Sequence, residues 1–361
     1  MRTARVRTVR VAVAVVAVGA LGTAVSLAVA SSPGHARSPG RKPGTATTAP
    51  ARAAPHSTVA SATSPAPTTT GPIPTTTAPA GGVATPTYAV ADQTFTLVDP
   101  TRPTPARGSV PVSAGRVLRT VVRRPAGLAG PLPLVVFAHG YATDPETYEP
   151  LLDAWAAAGY LVVAPDCPGS ASDGPGTPVQ DYAAQARDLS FVISAILNGN
   201  AGPVQADQVE PGQIVVAGHS DGGTAVTIMA LNPAYADPRV KAYVNMAGQI
   251  PTDVPGPWAS SPVSGALLVA VGDRDQYGNL ALSTAMFAAA RMPKALLVVP
   301  GGDHLGTFVA SSAVAAQVRA ATVRFLGAVF ASSTRSFTPS QLGQAVRGTG
   351  PSPPFTVTTA D

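Results

Sequence analysis

Hydrophobic and polar positions divide the chain into four stretches. Val11 to Ala30 is an almost unbroken run of Val, Ala, Leu and Gly that ends in Ala28-Val29-Ala30. Between Ser31 and about Pro86 large apolar side chains nearly vanish, and Pro, Thr, Ala, Ser and Gly take over, as in Thr63-Ser64-Pro65-Ala66-Pro67-Thr68. Over residues 87–330 short β-rich apolar runs alternate with helical patterns, which predicts an α/β domain with a mainly parallel sheet. Residues 331–361 turn polar and Pro-rich again and read as a loosely attached tail.

Within the α/β stretch, Thr94 to Val98 and Arg116 to Val122 look like antiparallel lead-in strands. Leu134 to Ala138, Leu161 to Ala164, Ile214 to Ala217, Val240 to Met246, Ala266 to Val271 and Ala295 to Val299 are short, almost wholly apolar runs, the pattern of strands covered on both faces. Asp144 and Pro145 open a helix through Ala158, with aspartate as N-cap and proline at the first helical position. Val179 to Asn198 and Ser311 to Phe330 supply two longer amphipathic helices.

Residues 2–10 carry four arginines ahead of the first apolar run. A basic n-region, an apolar h-region and a small-residue cleavage site together predict a secretory signal peptide over residues 1–30. The same run is long enough for an uncleaved signal anchor. Either way the remainder is expected outside the cytoplasmic membrane, secreted or at the cell surface, with membrane contact only through this segment if it is retained. Residues 31–86 cannot bury enough apolar surface to offset chain entropy, so they read as a disordered spacer.

The net charge of +5 changes meaning once it is located. Eight of the 24 basic residues precede residue 87 and none of the 19 acidic ones does, so the α/β stretch and tail carry a small negative balance. That removes the electrostatic reason to expect a nucleic-acid partner. A single cysteine, Cys167, rules out an intramolecular disulfide and a Cys-based zinc site, and it reads as a small packing residue. No metal cluster, phosphate loop or dinucleotide fingerprint appears, so no cofactor is expected.

The chemistry concentrates at Gly218-His219-Ser220-Asp221-Gly222, which follows an apolar strand and precedes a helical pattern running to Leu231. This is the G-x-S-x-G elbow, whose glycines permit a tight strand-to-helix turn and present the serine as a nucleophile. A serine hydroxyl needs an adjacent base. Beyond residue 87 there are three histidines, His139, His219 and His304. His219 lies on the elbow itself and His139 ends an earlier strand, which leaves His304, in the turn Pro300-Gly301-Gly302-Asp303-His304. The carboxylate that orients it should follow the strand ending at Val271-Gly272, at Asp275 or, alternatively, Asp273. Asp303 reads as a turn residue. Two backbone amides, of Asp221 and Tyr141, are placed to hold an oxyanion, with the Asp221 side chain expected to face solvent or a basic partner.

Three segments carry a family resemblance: Thr96-Leu97-Val98-Asp99-Pro100-Thr101-Arg102-Pro103, Pro133-Leu134-Val135-Val136-Phe137-Ala138-His139-Gly140 and Gly218-His219-Ser220-Asp221-Gly222-Gly223. They resemble the dienelactone hydrolase, chlorophyllase and platelet-activating-factor acetylhydrolase-like branch of the α/β hydrolases, and are similar also to bacterial cutinase-like polyester hydrolases. The resemblance implies an α/β-hydrolase fold with an eight-stranded sheet. It also implies ester hydrolysis through an acyl-enzyme on Ser220, Asp275 and His304, without a cofactor.

Fewer than twenty residues separate Met246 from Ala266, too few for a helical lid domain, so an open cleft is expected. Tyr141, Trp258, Tyr277, Leu305 and Phe308 are candidates to line it. The expected substrate is a small-molecule or polymeric ester. Amidase, thioesterase and acyltransferase chemistry would use the same residues, and a surface binding protein that merely keeps the fold is the non-enzyme alternative.

Overall fold

The apolar runs do become the central strands. In the computed structural model, which describes residues 87–258, 265–348 and 354–361, they lie side by side in one sheet. The strands are β1 (Val90–Asp99), β2 (Arg116–Pro125), β3 (Leu132–Ala138), β4 (Leu161–Asp166), β5 (Val209–His219), β6 (Val240–Met246), β7 (Ala266–Gly272), β8 (Lys294–Val299) and β9 (Thr356–Ala360). Their order across the sheet is β1-β2-β4-β3-β5-β6-β7-β8-β9. The six from β4 to β8 run parallel, while β1, β2 and β9 pair antiparallel at the edges.

Every residue of β4, β6 and β7 is buried, as is β5 from Ile214 onward. Helices cover both faces: α1 (Glu149–Ala157), α2 (Tyr182–Leu197), α3 (Asp221–Leu231), α4 (Asn279–Ala289), α5 (Gly306–Val309), α6 (Ala313–Ala331) and α7 (Pro339–Arg347). The expected capping at Asp144 is present, its side chain accepting from the Thr147 amide at 2.8 Å, but the first turn is a 3-10 helix and α1 proper begins at Glu149. The helix placed over Val179–Asn198 begins three residues later, at Tyr182.

The C-terminal reading needs correction. Residues 331–361 are not a loose tail: α7 buries Leu342 and Val346, and β9 pairs with β8 over five residues as a ninth strand. Thr338 caps α7 in a reciprocal box with Gln341, with Pro339 at the first helical position. The Pro-rich composition concealed a short helix whose apolar residues, Leu342 and Val346, are only one turn apart. The leader at 1–30 and the spacer at 31–86 lie outside the described residues.

The register brings the carboxyl ends of the parallel strands to one edge of the sheet, where the residues of interest gather. Ala138, His219 and Met246 end neighbouring strands there, and Gly272 pairs with Val299 one strand further on. In open α/β sheets this edge is where ligands bind.

Candidate active site

Among the described residues, three other than glycine have positive φ: Ala142 (52°), Ser220 (55°) and Ala247 (54°). They follow β3, β5 and β6, so backbone strain in the described residues is concentrated at this one edge. Strain of this kind persists only where surrounding structure holds it. Ser220, at φ 55° and ψ −118°, is the sharpest, held by hydrogen bonds from its amide to the Met246 carbonyl (2.9 Å) and from the Thr224 amide to its own carbonyl (2.8 Å).

The elbow glycines are required by close backbone approach. A Cβ on Gly218 would run into the Gly222 carbonyl, and one on Gly222 into the Ala138 carbonyl. Gly140 lies directly against the nucleophile, since a Cβ there would sit 3.0 Å from Ser220 Cβ. The β3 loop and the serine are therefore in contact. The amide of Tyr141 has no hydrogen-bond partner among the described residues, and that of Asp221 opens α3, where helix geometry provides none. Both are open donors beside Ser220.

The imidazole of His304 is held from one side by Asp275, whose Oδ2 lies 2.6 Å from Nδ1. Asp275 is itself fixed by the Tyr277 amide (2.9 Å) and by Asn279 Nδ2, which reaches both carboxylate oxygens at 3.2 and 3.3 Å. With Nδ1–H committed to the carboxylate, Nε2 is left as the basic nitrogen. Asp273, the alternative carboxylate, instead accepts from the Gly301 amide at 2.6 Å and stabilises the turn leading to the histidine. Asp303 accepts from the Thr307 amide, a turn role as expected.

His219 does more than occupy the elbow. Its Nε2–H donates to the His304 carbonyl at 2.8 Å, so its Nδ1 must accept the Tyr148 hydroxyl, also at 2.8 Å. Tyr148 in turn accepts the Gly140 amide at 3.1 Å. One continuous chain thus ties the β3 loop, the elbow and the His304 loop together. Burial, and after it the charge of His304, push the His219 pKa down to about 3, which keeps the ring neutral and the chain intact.

His139 fixes the same loop from behind. The Cys167 amide donates to its Nε2 at 2.8 Å, which leaves Nδ1–H to donate to the Gly140 carbonyl at 2.8 Å. Cys167 is fully buried, and burial pushes its thiol up, as suits a packing residue.

Among the candidate cleft residues, Tyr277 is 68% exposed and stacks edge-on against His304, and Tyr141 is 43% exposed with its hydroxyl on the Pro178 carbonyl. Leu305 and Trp258 are half-buried. Phe308 must be corrected: it is completely buried against the His219 ring, because α5 turns it inward, and it supports the site from below. The Asp221 side chain also departs from expectation. It is only 8% exposed and forms no ion pair among the described residues. Its Oδ2 is buried without a partner, and burial pushes its pKa up to about 6, opposed by His139.

Tyr148 and Asn279 were not singled out from the sequence. Tyr148 carried no local signal, whereas Asn279 stands four residues beyond Asp275 at a helix start, within reach of its carboxylate.

A family model described as the alpha/beta hydrolase family matches residues 135–254, a span that includes the elbow and ends before Asp275. A ferulic acid esterase from Streptomyces cinnamoneus is similar in structure, with 22% sequence identity and a TM-score of 0.55, over 79% of this chain and 98% of that one. The chain has the α/β-hydrolase fold. No curated protein matches the sequence. Within this fold the G-x-S-x-G elbow, the acid after β7 and the histidine after β8 stand in the chain order serine, acid, histidine.

Proposed function

We propose that the chain is an exported serine hydrolase that cleaves carboxylic esters through an acyl-enzyme on Ser220, with His304 as base and Asp275 as its orienting acid. The observation that carries this reading is the strained Ser220 elbow, whose His219 ring lies 4.5 Å, centroid to centroid, from an imidazole whose Nδ1 is held 2.6 Å from Asp275. A binding protein that merely kept the fold would have no use for that strain.

Ser220 Oγ attacks the ester carbonyl as His304 Nε2 takes its proton, and Asp275 stabilises the imidazolium that forms. The negative charge that develops on the carbonyl oxygen is met by the amides of Asp221 and Tyr141, oriented before substrate arrives. His304 then returns the proton to the departing alkoxide, and water, activated by the same nitrogen, hydrolyses the acyl-enzyme. Tyr141, Trp258, Tyr277 and Leu305 are the residues proposed to border the substrate. The fold shared with a ferulic acid esterase supports an ester as substrate.

A fluorophosphonate probe tests the reading. Wild-type protein is expected to be labelled, and Ser220→Ala is not. A folded wild type that takes no label would overturn the assignment. Graded p-nitrophenyl esters would then define acyl length.

A further inference from the structure

Arg107 is buried, only 3% exposed, and forms no ion pair among the described residues. Its guanidinium is answered by carbonyl oxygens alone. Nη1 donates to Pro168 (2.9 Å), and Nη2 to Ala171 (2.7 Å) and Gly176 (3.3 Å), while Nε has no partner. A buried cation without a countercharge costs folding free energy. What the guanidinium supplies is geometry, since one rigid fork grips both limbs of the loop that joins β4 to α2. The loop is shaped around it: a Cβ on Gly174 would run into Arg107 Nη1, and one on Gly176 into the Arg107 carbonyl.

The gripped loop in turn carries the oxyanion loop after β3. Thr143 and Ala171 form an isolated parallel bridge. In it the Ala142 amide donates to the Ser170 carbonyl (2.8 Å) and the Ser172 amide to the Thr143 carbonyl (3.0 Å). Ser170 thus presents its carbonyl to Ala142 and Ala171 its own to Arg107, so this segment lies between the oxyanion loop and the guanidinium. The first bond holds Ala142 at its positive φ of 52°. The second fixes Thr143, whose hydroxyl donates to the Gly140 carbonyl at 2.8 Å. That carbonyl and the Tyr141 N–H belong to one planar peptide, so a grip on the oxygen sets the direction of the N–H. The Tyr141 hydroxyl, on the Pro178 carbonyl, ties the same two loops again.

We infer that Arg107 is a positioning residue for the oxyanion hole: through the β4–α2 loop it holds the Tyr141 amide in line for the carbonyl oxygen of the ester. The inference rests on the ester-hydrolase reading above. Arg107 acts through two layers of backbone. Tyr148 holds the entry to the oxyanion loop at the Gly140 amide, and Arg107 holds its exit.

Two variants test it. Arg107→Lys keeps the charge and loses the fork. Gly174→Ala keeps Arg107 but puts a methyl group where Nη1 lies, at a half-buried loop position without positive φ, so the end of a flexible side chain yields rather than the fold. Both are assayed on p-nitrophenyl acetate, with active sites counted by exhaustive fluorophosphonate labelling so that misfolded protein drops out of kcat. The expected kcat per site falls about ten- to a hundredfold in Arg107→Lys and about three- to tenfold in Gly174→Ala, with KM within about twofold of wild type. The inhibition constant of trifluoromethyl hexyl ketone, whose tetrahedral adduct with Ser220 places an oxyanion in the hole, should rise in step with the loss of kcat. A purely structural role would lower the count of labelled sites and leave kcat per site unchanged. A kcat per site within about twofold of wild type in either variant, or a loss that the ketone does not share, overturns the inference. If Arg107→Lys does not fold, Gly174→Ala decides alone. An unlabelled, inactive wild type sinks the ester-hydrolase reading and this inference with it, whereas an active wild type with unchanged variants sinks only the role of Arg107.

Discussion

Tyr148 Oη lies 2.8 Å from His219 Nδ1, and through that contact a side chain of the segment after β3 holds the residue next to the nucleophile. The same oxygen accepts the Gly140 amide, so the phenol sets the position of the loop that presents the Tyr141 N–H. The hydroxyl carries no charge at working pH, since burial raises its pKa to about 12.

Tyr148→Phe removes one oxygen and leaves two buried polar groups, Gly140 N–H and His219 Nδ1, without a partner. Each such group costs about 1–3 kcal/mol. With the loop released, one oxyanion donor is misplaced, and kcat on p-nitrophenyl acetate is expected to fall about ten- to a hundredfold with little change in KM. Urea unfolding and steady-state kinetics on the same variant check both effects. An unchanged kcat would show that the oxyanion loop is positioned without the phenol.

The two aspartates after β7 separate cleanly by contact. Asp275 meets the imidazole, whereas Asp273 meets only the Gly301 amide. Asp275→Ala is therefore expected to lower kcat by about 10³–10⁴-fold, through loss of imidazole tautomer and orientation. Asp273→Ala is expected to cost stability and less than about tenfold in kcat, because the turn it supports leads to His304. Asn279→Ala should fall between them. A larger kcat loss for Asp273→Ala than for Asp275→Ala would reverse the assignment.

The residues of this site differ in how far the sequence revealed them. Ser220 was legible because the elbow depends on backbone crowding, which only glycine at 218 and 222 relieves, and that demand is written in five consecutive letters. His304 was legible by elimination among three histidines. Asp275 against Asp273 was open, since both follow the same strand end and only the path of the turn decides which carboxylate faces the ring. Tyr148 and Phe308 were beyond reach for a related reason: whether an aromatic faces the cleft or packs beneath it depends on how a short loop or helix is rotated, and that is set by tertiary contacts. The central strands of the sheet announced themselves as apolar runs, whereas β9 is built of Thr and Val with partial exposure and acquires its strand character from the free edge of β8.

That C-terminal segment is expected to contribute to stability. Leu342 is fully buried where α7 packs, and Leu342→Ala should cost about 2–5 kcal/mol through lost burial and the cavity left behind. Chemical denaturation of the variant measures it. A loss below about 0.5 kcal/mol would show that α7 is dispensable to the fold. Deletion of residues 333–361 would also uncover the edge of β8, which β9 now pairs, and is expected to promote association in light scattering.

Asp221 gives the protein a pH dependence of stability with a definite sign. Burial raises its folded-state pKa from 3.8 to about 6, so the folded protein binds this proton more tightly than the unfolded chain does. The contribution to stability is fully present below pH 3.8 and is lost as pH rises through about 6. At pH 8 the ionised carboxylate disfavours the fold by up to about 3 kcal/mol relative to its neutral form. Asp221→Asn, close in shape to the protonated acid and unable to ionise, should therefore be more stable than wild type at pH 8 and nearly equal to it at pH 4. His219 titrates identically in both proteins and cancels from the comparison. Thermal unfolding of the pair at the two pH values decides the matter: an advantage for the variant that is the same at pH 4 and pH 8 would show that the charge of Asp221 is not what the fold pays for. If the advantage appears only at pH 8, the charge of this carboxylate, one residue from the nucleophile, is held against the interest of stability.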